Sequence, residues 1–268
     1  METPSQSINF QFITVAWGKP YVDLLVDVAI PSQMAPGNLP NFPYLATSTY
    51  ILYTTSEGRA ALDNSLAFRR LAQLMSTEIR LIDDVDFHRN KYGIASECQQ
   101  RAMSFTEDTE TAFVWLYPDV VWPDGALTNM GRIASTGKRA VLHVGLSVVT
   151  QTCVPELLQD HRREDSDAIA IPPRDLVNLA IKHLDPAIDT FCLNSDRFNS
   201  TPSQLYWEVP GEGLVTRWFH LSPLMVYPRR IVHGFSDSID NGDYLRQAGL
   251  RPDDIYVAKD SDEIFNFS

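Results

Sequence analysis

Long apolar runs are missing from this chain of 268 residues. No stretch approaches the ~20 apolar residues that cross a bilayer. The opening METPSQSINF has neither the basic start nor the apolar centre of a secretion signal. Cysteine is scarce: Cys98, Cys153 and Cys192 are far apart, odd in number and without metal-ligand spacing. That is the pattern of reduced, mostly buried thiols, not of a disulfide framework. The chain is therefore expected to be soluble and cytoplasmic. Positive charge is also in deficit, with a formal net charge of −12. Such a balance argues against a surface built to grip nucleic acid or an anionic membrane. It still permits a nucleoside diphosphate ligand, if a few basic groups and helix N-termini converge in one cleft.

Several catalytic signatures are absent as well. No Gly-x-Gly-x-x-Gly follows the first predicted strand, which excludes the usual dinucleotide site. The GKP at 18–20 lacks the glycine-rich approach and the Ser or Thr of a P-loop. There is no Gly-x-Ser-x-Gly elbow and no HExxH. Internal repeats, low-complexity linkers and long charge blocks are missing too.

What the chain does have is alternation. Hydrophobic residues make up 44% of it, enough for one large core or two small ones. Short β-branched and aromatic runs at 9–17, 47–55, 78–85, 111–122 and 138–149 predict five strands. Between them, apolar stripes at helical spacing predict helices over 21–34, 55–75, 88–105 and 125–136, the last closed by Gly137. Thr54 and Glu57 have capping-box spacing for the second helix, with Thr55 or Ser56 as other caps. Pro36, Gly37, Pro40 and Pro43 force a loop over 35–43. The alternation predicts an open, mostly parallel α/β sheet with helices on both faces. Past residue 150 the pattern changes to helices over 153–167 and 172–191, two β segments about Pro210–Gly213, a short helix over 239–250 and a last strand with an acidic tail. This half reads as an α+β elaboration on the same sheet.

In open α/β sheets the ligand lies outside the carboxyl ends of the strands. That rule nominates Trp17–Gly18, Thr54–Thr55, Asp83–Asp84 and Tyr117–Asp119. The stretch LYPDVVWPDGAL, 116–127, ends a strand on one acid and opens a helix near a second. Paired carboxylates at a strand exit suit Mg²⁺ or Mn²⁺, hard cations that share oxygen ligands with phosphates. The same spacing also suits a solvated strand end at Asp119 and a helix N-cap at Asp124. Spacing alone leaves both standing.

These residues carry a resemblance. YPDVVWPDGAL is similar to the Asp-x-Asp stretch that follows the fourth strand in nucleotide-sugar glycosyltransferases of the GT-A fold. FITVAWG, PSQMAPGNLP, YILYTTSE and, more loosely, RWFHLSPLMVYP extend the likeness over about residues 9 to 230. Asp119 aligns with the second acid of the motif, and Tyr117 stands where the first acid belongs. The resemblance implies one GT-A-like Rossmann-type domain over 1–268, with a nucleotide-binding half at 9–150 and an acceptor-side elaboration at 151–268. It implies transfer of a sugar from a nucleoside diphosphate sugar to a carbohydrate, lipid-linked or other hydroxyl acceptor; the acidic composition and the lack of long apolar runs add the expectation of no nucleic acid partner and no transmembrane segment.

The site residues implied are as follows. Asp119 is the metal- or diphosphate-binding acid, and Mn²⁺ or Mg²⁺ is the cation, although loss of the acid at Tyr117 weakens that seat. His220 and His233 are further metal ligands or diphosphate contacts; each is also the kind of lone histidine that serves structure. His88, Arg89 and Lys91 are basic groups able to neutralise a leaving diphosphate in place of a metal, or a solvated helix start. From their place at the strand exits, Trp17 and Tyr21 offer rings to stack on a base and Gly18 a close backbone approach, or they serve core and turn; Thr54 and Thr55 offer hydroxyls for base or ribose, or only cap the helix. Asp237, Asp240 and Asp243 stand in a polar segment that can form an acceptor-binding loop or supply a general base, with Asp240 the expected base. A second reading makes the chain a GT-A-like domain that binds a nucleotide or partner without catalysis, which Tyr117 favours. A third, a nucleotidyltransferase, lacks the glycine-rich basic loop after the first strand.

Overall fold

The structure, a computed structural model, describes residues 8–104, 110–219, 221–232 and 239–268, save the side chain of Asn241. The strands are β1 (Asn9–Val15), β2 (Ser48–Thr54), β3 (Ser76–Leu81), β4 (Thr111–Leu116), β5 (Ala140–His143), β6 (Gly145–Leu146), β7 (Gln204–Val209), β8 (Gly213–Trp218), β9 (Ser222–Val226), β10 (Ile255–Val257) and β11 (Asn266–Phe267). Among the described residues, seven of them form one sheet in the order β10-β5-β9-β4-β1-β2-β3. All its pairs are parallel except those of β9, which runs against both β4 and β5. The open, mostly parallel α/β sheet expected from the alternation is therefore present, and β9 and β10 carry the second half of the chain back into it.

Central strands buried on both faces read as nearly continuous apolar runs, and β1 and β4 do. Phe10 and Phe12 of β1 point to one layer, with α1 (Lys19–Leu24), α2 (Ile30–Gln33), α3 (Ser56–Asn64), α4 (Leu66–Leu74) and later α6 (Ala126–Ser135) packed over it. Ile13 and Val15 point to the other, under α5 (Lys91–Ser104) and α10 (Asp243–Gln247). A third core gathers β6, β11, α7 (Thr150–His161), α8 (Pro173–Lys182), α9 (Pro186–Asp189) and Tyr206 of the β7–β8 hairpin. Edge strand β3 is polar, with Arg80 bonded to Glu78 at 2.9 Å and to the Tyr53 hydroxyl at 2.8 Å. Charge on an edge blunts pairing with other chains. Cys98 and Cys153 are buried free thiols and Cys192 is half-buried. Burial pushes Cys98 up to about 12 and Cys153 to about 11, so both are inert at neutral pH. Among the described residues no helix is long and apolar enough to cross a membrane.

Several expected boundaries shift for local reasons. The helix expected over 55–75 is two helices, because Ser65 leaves helical geometry and its hydroxyl accepts the Phe68 amide at 3.3 Å. Ser competes with the backbone in this way. Thr54 is not a cap; it ends β2, fully buried, and Thr55 caps α3 by accepting the Gly58 amide at 3.1 Å. The strand expected over 111–122 stops at Leu116, since Pro118 and Asp119 turn the chain. The strand over 138–149 divides into β5 and β6. Gly137 follows α6 with φ 89, as a helix-closing glycine does.

One buried histidine ties three segments together. His143 Nδ1 lies 3.2 Å from the Ser222 carbonyl, which only accepts, so this nitrogen carries the proton. Its Nε2 then accepts from Asn266 Nδ2 at 2.7 Å. Gly145 permits the approach, because a Cβ there would meet Asn266 Oδ1 at 2.0 Å. Burial holds His143 neutral and lowers its pKa to about 4 from 6.5. The unfolded chain binds a proton in that window and the folded chain does not. Stability is therefore full above about pH 6.5 and falls as pH drops toward 4, by about 3 kcal/mol from this residue. Urea unfolding across pH 4–7.5 is expected to show a shallower slope for His143→Gln than for wild type; equal slopes refute a neutral buried imidazole.

Candidate functional site

Strand order locates the crevice. From β1 the chain builds outward through β2 and β3, then crosses to β4 on the opposite side of β1. The switch falls between β1 and β4, and the loops leaving their carboxyl ends part there. Those loops begin with Trp17–Gly18 and Tyr117–Asp119. Gly18 sits at φ 73 and precedes α1, a conformation that suits glycine.

The loop after β4 is held by a segment distant in sequence. Asn38, fully buried, donates from Nδ2 to the carbonyls of Ser32 at 2.9 Å and Pro123 at 3.0 Å. Its Oδ1 accepts the amides of Gly125 at 3.1 Å and Leu127 at 3.0 Å. All four hydrogen-bonding positions of the amide are thus used. The expectation that Asp124 caps α6 is corrected here. The cap residue is Gly125 with no side-chain bond of its own, and Asn38 satisfies the orphan amides from outside. Asp124 instead accepts the Gly37 amide at 2.6 Å. Trp122 donates its amide to Ser32 Oγ at 3.2 Å. With Leu116, Val120, Val121 and Trp122 all buried, the turn bearing Pro118 and Asp119 is fixed at both ends.

Around that turn several expected residues meet. Lys91, at the start of α5, donates to the Tyr21 hydroxyl at 3.0 Å and lies over the rings of Tyr21 at 5.5 Å and Tyr92 at 5.2 Å. The Tyr21 bond is the main reason its pKa is raised, and the Asp119 charge adds to it. Asp119 is half-buried; burial raises its pKa, against its own backbone amide and Lys91, which lower it. Burial also raises the Tyr117 phenol, the charges of Asp240 and Asp119 push the same way, and a hydrogen bond with Gln99 opposes them. Tyr117 is therefore a neutral phenol. Asp240 arrives on the short turn Ile239–Asn241. Trp17 is partly buried against the α5-side core, with its ring 6.1 Å from Phe87.

Other expected residues lie elsewhere. Arg89 pairs with Glu97 at 2.7 Å, on the flank of α5. His88 is exposed in the preceding turn. Gly18 and Thr55 line a separate cleft of about 200 Å³ between the starts of α1 and α3. Thr54 lies beneath α3, where a Cβ on Gly58 would sit 2.1 Å from its Oγ1. Asp83 accepts the Ser56 amide at 3.0 Å and hydroxyl at 2.9 Å, so it supports the start of α3. Asp243 pairs with Arg246 at 2.8 Å. His220, His233 and Asp237 lie outside the described residues. The sequence reading missed Phe87, Tyr92 and Gln99. The first two flank HRNK, and an aromatic on each side of a basic run was the available signal; Gln99 gave none.

The fit of a divalent ion can be judged from the donor set. Asp119 and Asp240 are two carboxylates whose charges act on a neutral phenol, Tyr117, with the Lys91 ammonium near Asp119. Among the described residues no three His, Cys, Asp or Glu side chains gather to hold a metal. The described residues alone do not fit Mn²⁺ or Mg²⁺, and Lys91 is the cation in their midst.

No protein-family model matches this chain, and no curated protein does. Solved structures overlap it in part. TarS of S. aureus aligns with a TM-score of 0.35 and 10% identity over 53% of this chain and 22% of that one. The mannosyltransferase PcManGT of Pyrobaculum calidifontis, in complex with GDP-Man and Mn²⁺, gives 0.36 and 11% over 68% and 54%. A Bacillus anthracis protein described as a glucose-1-phosphate thymidylyltransferase, in complex with sucrose, gives 0.32 and 12% over 52% and 55%. The chain thus spans about a fifth to just over half of these proteins, an overlap that carries no assignment of function.

The clamp makes an ordering of stabilities. Asn38→Ala strands the amides of Gly125 and Leu127, while the carbonyls of Ser32 and Pro123 keep the amides of Ala35 and Ala126, and is expected to cost about 3 kcal/mol. Asp124→Asn keeps an acceptor for Gly37 and is expected to cost under about 1 kcal/mol. Urea midpoints check this; the reverse order would restore Asp124 as the cap.

Proposed function

We propose that the chain is a glycosyltransferase of GT-A type that takes a nucleoside diphosphate sugar at the crevice between β1 and β4. The observation that carries the proposal is the bond of Lys91 to Tyr21 near the topological switch point, with Asp119 close enough for its charge to act on the ammonium. An ammonium flanked by rings suits a diphosphate attached to a base. The rings of Trp17, Phe87 and Tyr92 offer stacking surface, and Phe87 and Tyr92 are 38% and 68% exposed. The cleft lined by Gly18 and Thr55 offers a second seat for base or ribose.

In the proposed reaction the bond between the sugar's anomeric carbon and the diphosphate oxygen breaks, and an acceptor hydroxyl forms a new bond to that carbon. Charge develops on the leaving diphosphate, and Lys91 is placed to stabilise it. Asp119 orients the donor from the turn after β4. Asp240 takes the acceptor proton as general base. Mn²⁺ or Mg²⁺, if the full site completes a seat beside Asp119, would add further neutralisation; no step here requires it. The positioning of donor and acceptor supplies the rest of the rate.

A non-catalytic nucleotide-binding role is the second reading, favoured by the neutral Tyr117 in place of an acid. Thermal shift with UDP, GDP, CMP and dTDP, each with and without Mn²⁺, tests both. At least one nucleotide is expected to stabilise wild type, and Lys91→Met, an exposed position, is expected to weaken that binding at least tenfold without lowering the unligated Tm. Asp119→Asn is expected to lower donor hydrolysis or transfer by roughly a hundredfold. Nucleotide binding with no hydrolysis of any donor selects the second reading. No response to any nucleotide refutes both.

A further inference from the structure

A second cleft, of about 490 Å³, opens on the same edge of the sheet and contains none of the residues discussed above as donor-binding. Its floor is the chain leaving β5 and β10, at Val144 and Ala258; its roof is strand β8. Both β5 and β4 run antiparallel to β9, so their carboxyl ends lie on one edge with a single strand between them. At the usual strand spacing the cleft is roughly 10 Å along that edge from the exit that bears Asp119. Its volume is within the range that takes small organic ligands, about 300–1,000 Å³.

The lining has an uncommon charge balance for this protein. The lining holds two carboxylates, Glu212 and Asp260, and two cations, Arg217 and Lys259, in a chain whose net charge is −12. A phosphate or polyanion site carries surplus cation; this one carries none. Thr216 and Ser261 add hydroxyls that both donate and accept. Trp218 adds an aromatic plane, half-buried and held edge-to-face by the buried Tyr206 at 6.4 Å and 83°. Val215 and Val257 contribute apolar rim and are 60% and 40% exposed. Hydroxyl-rich rings with one C–H face need this combination: acceptors, donors, an aromatic plane and no net field.

We propose that this cleft binds an uncharged oligosaccharide through Trp218, Thr216, Ser261 and the balanced charges. Its role as acceptor seat rests on the transferase reading; the binding itself does not. An acceptor chain lying in the cleft would extend its terminal hydroxyl along the edge toward Asp119 and Asp240.

Saturation-transfer NMR on the full chain tests it, with maltotriose, cellotriose, chitotriose and mannotriose as neutral probes and a heparin-derived tetrasaccharide as the anionic one. Transfer to at least one neutral triose is expected, falling at least fivefold in Trp218→Ala. Ser261→Trp fills the cleft from a half-buried surface position, and is expected to have the same effect should the first variant fail to fold. The thermal shifts given by UDP and GDP are expected to be the same in both variants. The proposal is overturned if no neutral triose gives transfer, if transfer survives Ser261→Trp, or if the heparin fragment is preferred. Loss of nucleotide response with triose binding intact refutes only the donor site.

Discussion

The amide of Asn38 is the constraint on which the site depends. A loop that leaves a strand at a switch point must expose its tip to a ligand, yet its backbone groups must be paired wherever they are buried. Here the tip carries Pro118 and Asp119, and the descending limb carries Trp122, Pro123 and the uncapped start of α6. The Asn38 side chain makes three hydrogen bonds to the limb and one back to Ser32, and the Gly37 amide adds a fourth link to the limb at Asp124. Gly37 can approach only because it has no Cβ, which would lie 2.7 Å from Asp124 Oδ1. The proline-rich loop at 35–43 is therefore a brace for the segment that follows the turn at Asp119, applied through the buried Asn38 and the half-buried Gly37. It fixes a half-buried carboxylate whose ionisation is already disfavoured by burial.

The backbone amide of Asp119 and the Lys91 ammonium oppose that cost without cancelling it. Lys91 comes from α5, on the sheet face opposite α1, yet it meets Tyr21 of α1 over the edge of β1. The two layers of helices thus touch across the strand exits through a lysine and a tyrosine. A neutral phenol at Tyr117 fits the same balance. A second carboxylate there would have raised the negative potential beside Asp119 and Asp240, against the Lys91 ammonium.

What was legible in the sequence follows from how local each signal is. The strands were legible because parallel strands buried on both faces leave continuous apolar runs, as in FITV and AFVWL. The strand exits at Trp17 and Asp119 followed from those runs. The break at Ser65 was not legible, since LDNSLAF carries a helical stripe straight through a residue able to cap. Asn38 could not be found, because the amides it caps are 87 and 89 residues away. Arg89 and Lys91 are two positions apart and looked equivalent. Which of them faces the exit depends on where α5 starts and on Glu97, which captures Arg89. The capping of α3 was a one-residue ambiguity that burial of Thr54 resolves.

The two clefts along the carboxyl edge differ in the physics that fills them. The crevice at β1 and β4 combines an ammonium, exposed rings and a carboxylate of perturbed ionisation, features that discriminate by charge. The cleft under β8 has matched charges and an aromatic plane, features that discriminate by shape and hydroxyl pattern. Antiparallel β9 separates them, and its first residue, Ser222, is bonded to His143, which in turn holds Asn266 of β11. The wall between the clefts is thus anchored by a buried, uncharged imidazole instead of an ion pair. A charged anchor there would project its field into both clefts through a low-dielectric layer.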